Sequence, residues 1–153
     1  MSTLYEQDFY SWTQEQAAGL RRLAQLRRND LPVLDWEQLA EEVEDLGKSL
    51  ERELGSRFVV LLLHLLKWRF QPGFRSVSWQ LSITGQRRRL ARLLRNNPGL
   101  KSKRAEEFGE AYESARLQAA SETGLDLDTF PMSCPFTLEQ AVDDGFWPDE
   151  ERS

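Results

Sequence analysis

From Asp35 onward, apolar side chains recur every three or four residues: Leu39, Val43, Leu46, Leu50, Leu54, Phe58, Leu61, Leu65 and Trp68. That spacing stacks side chains on one face of a helix. Between Val59 and Leu66 the apolar residues spread around the whole circumference, which is the mark of a helix buried on all sides. The pattern predicts a central helix over 36–70 with the rest of the chain packed around it. Asp35-x-x-Gln38 has the form of a capping box at its start, and Gln71-Pro72-Gly73 stops it. Such a helix would span ~52 Å at 1.5 Å per residue. This is long for a globular protein, so a break at Gly47 is the alternative.

The same reasoning places the other elements. Thr3-x-x-Glu6 and Asp8 are candidate caps for a first helix over about 5–28, with the stripe Tyr5, Phe9, Trp12, Gln16, Leu20 and Leu23 and a stop at Asn29-Asp30-Leu31-Pro32. A third helix is expected from Ser76 or Ser78 to about Asn96, on the stripe Trp79, Ile83, Leu90, Leu93 and Leu94, closed by Asn96-Asn97-Pro98-Gly99. A fourth runs over about 102–123 on Ala105, Phe108, Tyr112, Ala115 and Ala119, with Gly124 as its C-cap. Beyond it the chain is punctuated by prolines at 131, 135 and 148. Thr137-x-x-Gln140 caps a short helix expected to end near Gly145, and Phe130, Phe136, Phe146 and Trp147 read as pegs that dock this arm. No stretch alternates with period two. The fold class predicted is all-α: one domain over 1–153, an antiparallel bundle of four main helices (about 4–124) with a short C-terminal helical arm (about 125–153).

Composition adds two things. No window approaches the ~18–20 uninterrupted apolar residues of a membrane span. The N-terminus lacks the basic and apolar regions of a signal peptide, and the lone Cys134 has no partner for an internal disulfide. A cytoplasmic protein is therefore expected. The charge is more unusual. Residues 1–53 carry a net of −6, residues 54–105 hold 12 bases and no acid, and residues 106–153 carry a net of −11.

Several local motifs coincide in order. They are Leu4-Tyr-Glu-Gln-Asp-Phe-Tyr10, Glu41-Glu-Val-Glu-Asp-Leu-Gly47, His64-Leu-Leu-Lys-Trp68 followed by Gln71-Pro72, Ser78-Trp79, Gln86-Arg-Arg-Arg89, Cys134-Pro-Phe-Thr137 and Phe146-Trp-Pro148. Together they resemble the bacterial domain-of-unknown-function family numbered twenty-nine, frequent in cyanobacteria. The resemblance covers nearly the whole chain. It implies an all-helical domain and brings with it no activity, cofactor or catalytic residue.

Function must then be argued from side chains. The one histidine, His64, with Glu41, Glu42, Glu44 or Asp45, is the candidate for a metal or acid–base site, as helical bundles hold metals by inward Glu and His. About twenty residues separate His64 from these acids, ~30 Å along an unbroken helix, and no Glu-x-x-His pair is present. A structural His64 is the expectation. Arg87, Arg88, Arg89, Arg92 and Arg95 would present phosphate-binding cations, extended by Arg69, Arg75, Lys101, Lys103 and Arg104, with Trp68 and Trp79 available for base stacking. Against this, the flanking acidic segments would lie beside the basic helix and cancel it, with Glu42, Glu44 and Asp45 pairing to Arg87, Arg88 and Arg92. A pI near 5.0 also opposes nonspecific polyanion binding. Cys134 lacks a neighbouring base and reads as a packed thiol. Trp12, Trp36, Trp147 and Phe74 are candidates for an exposed aromatic patch. The reading that follows is a protein-binding or scaffold module without catalysis or cofactor, its partner another protein or its own copy. An RNA- or DNA-associated factor using helix 86–95 is the alternative, and an enzyme or metal site at His64 comes third.

Overall fold

The computed structural model describes residues 3–26 and 34–149. The chain is all-helical, and no strand occurs among the described residues. The elements are α1 (Leu4–Gln7), α2 (Phe9–Leu26), α3 (Trp36–Phe70), α4 (Val77–Asn96), α5 (Arg104–Thr123) and α6 (Leu138–Val142), with 3-10 turns at Pro72–Phe74, Pro98–Lys103 and Leu127–Thr129. The long helix α3 is continuous over 35 residues and does not break at Gly47. Its start is capped by Asp35, whose Oδ1 accepts from the Gln38 N–H at 3.1 Å. The expected first helix is divided at Asp8, which closes α1 and whose carboxylate accepts from the Ser11 N–H of α2. The expected stop at 29–32 lies outside the described residues. Thr137 and Gln140 form the anticipated capping box, but α6 ends at Val142, short of Gly145.

The chain forms two compact units. One comprises Met1–Glu53 with Leu93–Ser102, the other Leu54–Arg92 with Lys103–Ser153.

In the first unit α2 buries Tyr10, Thr13, Ala17 and Ala24, not the aromatic stripe that periodicity suggested. Tyr5, Phe9 and Trp12 instead pack on one another, exposed or half-exposed, Phe9 stacked on Trp12 and Tyr5 edge-on to both, with ring centroids 4.9–5.5 Å apart. The facing line on α3 is likewise offset by one residue. Ala40 and Gly47 are buried, whereas Leu39 and Leu46 are 41% and 48% exposed. The cause is close approach. A Cβ at Gly47 would sit 2.5 Å from Thr13 Oγ1 and 3.6 Å from Tyr10 Cε1, so these buried α2 side chains can keep their places here only against a glycine. Small residues, rather than large ones, set this contact.

The Asn97-Pro98-Gly99 turn does more than end α4. Asn97 is buried, and its Oδ1 accepts the Tyr10 N–H at 3.1 Å. Asp8 Oδ2 accepts the Gly99 N–H at 2.8 Å. Two amide donors that helix and turn geometry leaves open are thereby satisfied. The Tyr10 hydroxyl donates to Glu51 at 3.0 Å.

In the second unit the core is Leu54, Phe58, Leu61, Leu62, Leu65 and Leu66 of α3, each fully buried. Phe108 of α5 meets Phe58 edge-on at 5.4 Å, and Phe130 of the arm meets Phe70 at 5.3 Å. Helix α5 buries Phe108, Ala111, Tyr112, Ala115 and Ala119, while Ala105 is exposed. Its C-cap is Gly124, at φ 75°, the left-handed conformation that glycine adopts without penalty.

Two predictions follow from these contacts. Gly47→Val forces a branched side chain into Thr13 and is expected to destabilise the fold by about 1–3 kcal/mol, read as a lower urea midpoint. Burial pushes the Tyr10 hydroxyl up from 10.0 to about 12, reinforced by its bond to Glu51, and burial pushes Tyr112 up to about 12 as well. A raised folded-state value means this stability is complete below pH 10.0 and lost as pH climbs through about 12. The urea midpoint should fall over that window, and Tyr10→Phe should flatten the fall.

Candidate interaction face

Helix α4 turns Ile83, Gln86, Arg87, Leu90 and Leu93 inward. At 100° per residue this leaves Val77, Leu81, Arg88, Arg92 and Arg95 outward, and all five are exposed. The arginine block is therefore divided by helix geometry into one buried cation and several exposed ones.

Arg87 is the buried member, 3% exposed. Its Nε donates to Ala141 O at 2.8 Å and its terminal nitrogens to Phe146 O at 2.7 Å and Asp144 O at 3.5 Å. The guanidinium lies over the Trp147 ring at 5.4 Å, and Trp147 packs on Trp68 at 4.8 Å. Burial lowers the Arg87 pKa, against the opposing pull of Asp144 and Asp143. Arg75 repeats the arrangement, donating to Trp68 O at 2.8 Å and Pro148 O at 3.4 Å. Arg116 donates to Phe130 O and Leu127 O, and the Tyr112 hydroxyl donates to Pro131 O. A proline-punctuated arm cannot satisfy its own carbonyls by helix bonds. The fork of guanidinium donors does it instead.

The expected cancellation of α4 by acids is thus corrected. Glu44 holds Arg21 at 2.6 Å and Lys48 at 3.2 Å, and the bond from Arg21 lowers its pKa first, that from Lys48 next. Glu42 accepts from Gln38, and Glu41 and Asp45 are exposed. Arg87 spends its donors on main-chain oxygens. Among the described residues Arg88, Arg89, Arg92 and Arg95 form no ion pair. Side-chain contacts of this kind depend on which neighbour arrives at each helix face, which charge counting along a sequence does not specify.

The remaining candidates fall as follows. His64 is half-buried, its Nδ1 2.8 Å from Val60 O one turn back on α3. An unbroken α3 keeps it apart from Glu41, Glu42, Glu44 and Asp45. No three His, Cys, Asp or Glu side chains converge as metal ligands among the described residues. Burial pushes the Cys134 thiol up, against a weaker opposing bond from the Phe136 backbone, so a neutral thiol prevails at neutral pH. Of the four aromatic candidates, Phe74 is 69% exposed, while Trp12, Trp36 and Trp147 are half-buried. No described helix is long and apolar enough to cross a membrane.

The described residues also line depressions. A cleft of about 460 Å³ in the arm is lined by Arg69, Phe136, Gln140, Phe146, Trp147 and Pro148, among others. A more open groove of about 580 Å³ runs along α4 alone, over Ser78, Leu81, Ser82, Gly85, Gln86 and Arg89. Gln86 is 7% exposed and its Oε1 has no hydrogen-bond partner. The sequence reading did not single out this groove. The spacing of small residues at 78, 82 and 85 was its one visible signal.

Comparison with known proteins agrees with the fold and adds no activity. The family model described as "Domain of unknown function DUF29" matches residues 4–147, and the chain belongs to that family. A crystal structure of an alpha-helical protein of unknown function from Rhodospirillum rubrum ATCC 11170 is similar, with 24% identity and a TM-score of 0.68 over 95% of this chain and 93% of that one. No curated protein matches the sequence.

Arg87→Met leaves three arm carbonyls without their donor and is expected to cost about 2–5 kcal/mol. Amide hydrogen exchange should show lost protection concentrated in residues 138–147, with Arg87→Lys recovering only part of it.

Proposed function

We propose that this member of the family is a non-catalytic protein-binding module whose docking surface is the outward face of α4. The observation that carries the reading is a row of exposed apolar side chains, Phe74 (69%), Val77 (69%) and Leu81 (65%), leading onto the groove of that helix. Large apolar side chains grouped on one exposed face are the usual centre of a protein interface, and arginine is among the residues that contribute most there.

A nucleic-acid reading has one observation in its favour, the exposed Arg88, Arg89, Arg92 and Arg95, which form no ion pair among the described residues. Those cations match phosphates. The apolar row beside them does not, and the net charge of −5 opposes approach to a polyanion.

A photo-crosslinking residue in place of Leu81, activated in cells that normally make the protein, separates the two. Adducts to a protein segment are expected. Adducts to RNA or DNA would transfer the assignment to nucleic acid, and no adduct from this position would remove the docking face.

A further inference from the structure

We infer that the occupant of the α4 groove is an acidic amphipathic helix of a partner protein. The inference rests on the docking reading above and names the chemistry of its partner.

Shape comes first. The groove is lined by residues of one helix, and its floor carries Ser78, Ser82 and Gly85 at steps of four and three residues, a face shaped to take a second helix. Small residues at such steps admit a second helix at the short end of the ~8–10 Å range of interaxial distances. A Cβ added at Gly85 meets nothing within 4 Å, so the protein's own packing leaves that space open.

Polarity comes second. Gln86 is buried at the edge of this groove with its Oε1 unsatisfied. A buried acceptor without a donor is costly, and an occupant that brings a donor to Gln86 would relieve that cost. A seryl, threonyl or amide side chain supplies it. Phosphodiester oxygens are acceptors only and leave Gln86 as it stands.

Charge comes third. Arg88, Arg89 and Arg92 flank the groove without ion pairs among the described residues, so a complementary helix carries carboxylates opposite them. A second copy docking through the same face would set these arginines against themselves, since a two-fold interface repeats one patch on both sides. The apolar end, Val77 and Leu81, demands an apolar counterpart, which makes the occupant amphipathic.

The test is fluorescence anisotropy with the full chain and labelled helical peptides of about 20 residues. The peptides share one apolar stripe and a central serine, and their flanking polar positions are filled with Glu, Gln or Lys. A single-stranded RNA of similar length is the fourth probe. The Glu peptide is expected to bind and to weaken as salt is raised. The double variant Arg88→Glu/Arg92→Glu, and separately Gly85→Leu, should each weaken it at least about tenfold. Circular dichroism checks that both variants keep the parent helicity. Equal or tighter binding of the Gln or Lys peptide overturns the acidic assignment and, if Gly85→Leu abolishes it, leaves the docking face standing. Binding of RNA alone overturns both. Failure of every peptide overturns the acidic helix, while protein adducts from position 81 would still uphold the docking face.

Discussion

A wide apolar face on a long helix must be covered, and this requirement governs the second unit. Leu54, Phe58, Leu61, Leu62, Leu65 and Leu66 of α3 are fully buried, while Val59, Val60 and His64 are half-exposed and Ser56 is exposed. Each such side chain contributes about 1.5–3 kcal/mol if removed from water. One flat neighbour cannot do this. Helices α4 and α5 cover part, and the irregular arm supplies the rest through Phe130, Phe136, Phe146 and Trp147. Because the arm is irregular, its carbonyls need outside donors, and Arg75, Arg87 and Arg116 provide them. Part of the basic block is thus a consequence of the apolar core.

This accounts for the charge segregation in a way that counting acids and bases does not. A guanidinium spent on main-chain oxygens needs no carboxylate. Of the acids of residues 35–53, Glu44 pairs with Arg21 and Lys48, and Glu51 accepts from the Tyr10 hydroxyl. What remains on α4 is a short row of cations beside exposed Val77 and Leu81. Neither feature contributes to the fold. Burying Arg87 while exposing Arg88 and Arg89 is a matter of 100° per residue, so adjacent and identical residues take opposite roles.

The first unit shows a different economy. Its contact between α2 and α3 sets Gly47 against Thr13 and Tyr10, with Ala17 and Ala40 also buried, while Tyr5, Phe9 and Trp12 stay at the periphery. Close approach of backbones replaces bulk. The turn at Asn97-Pro98-Gly99 then closes the start of α2, so that a segment ending one helix caps another far away in the sequence.

The sequence by itself determined the helices, most of their limits and the capping residues Thr3, Asp8, Asp35, Ser76 and Thr137, because these depend on local periodicity and on hydrogen bonds within three or four residues. It also determined that Leu54, Phe58, Leu61 and Leu65 are buried, since they fall on one face of the most apolar stretch of the chain. Only the tertiary structure decided which residue of each adjacent pair faces inward, Ala40 rather than Leu39 and Tyr10 rather than Phe9. Hydropathy ranks Leu39 above Ala40 and Phe9 above Tyr10, whereas the tertiary contacts bury the smaller residue of the first pair and, in the second, the ring whose hydroxyl bonds Glu51. Only the tertiary structure could divide Arg87 from Arg88 and Arg89, and leave Gln86 without a donor. Those outcomes are fixed by which distant backbone oxygen or donor comes within about 3 Å, a distance that no local pattern encodes.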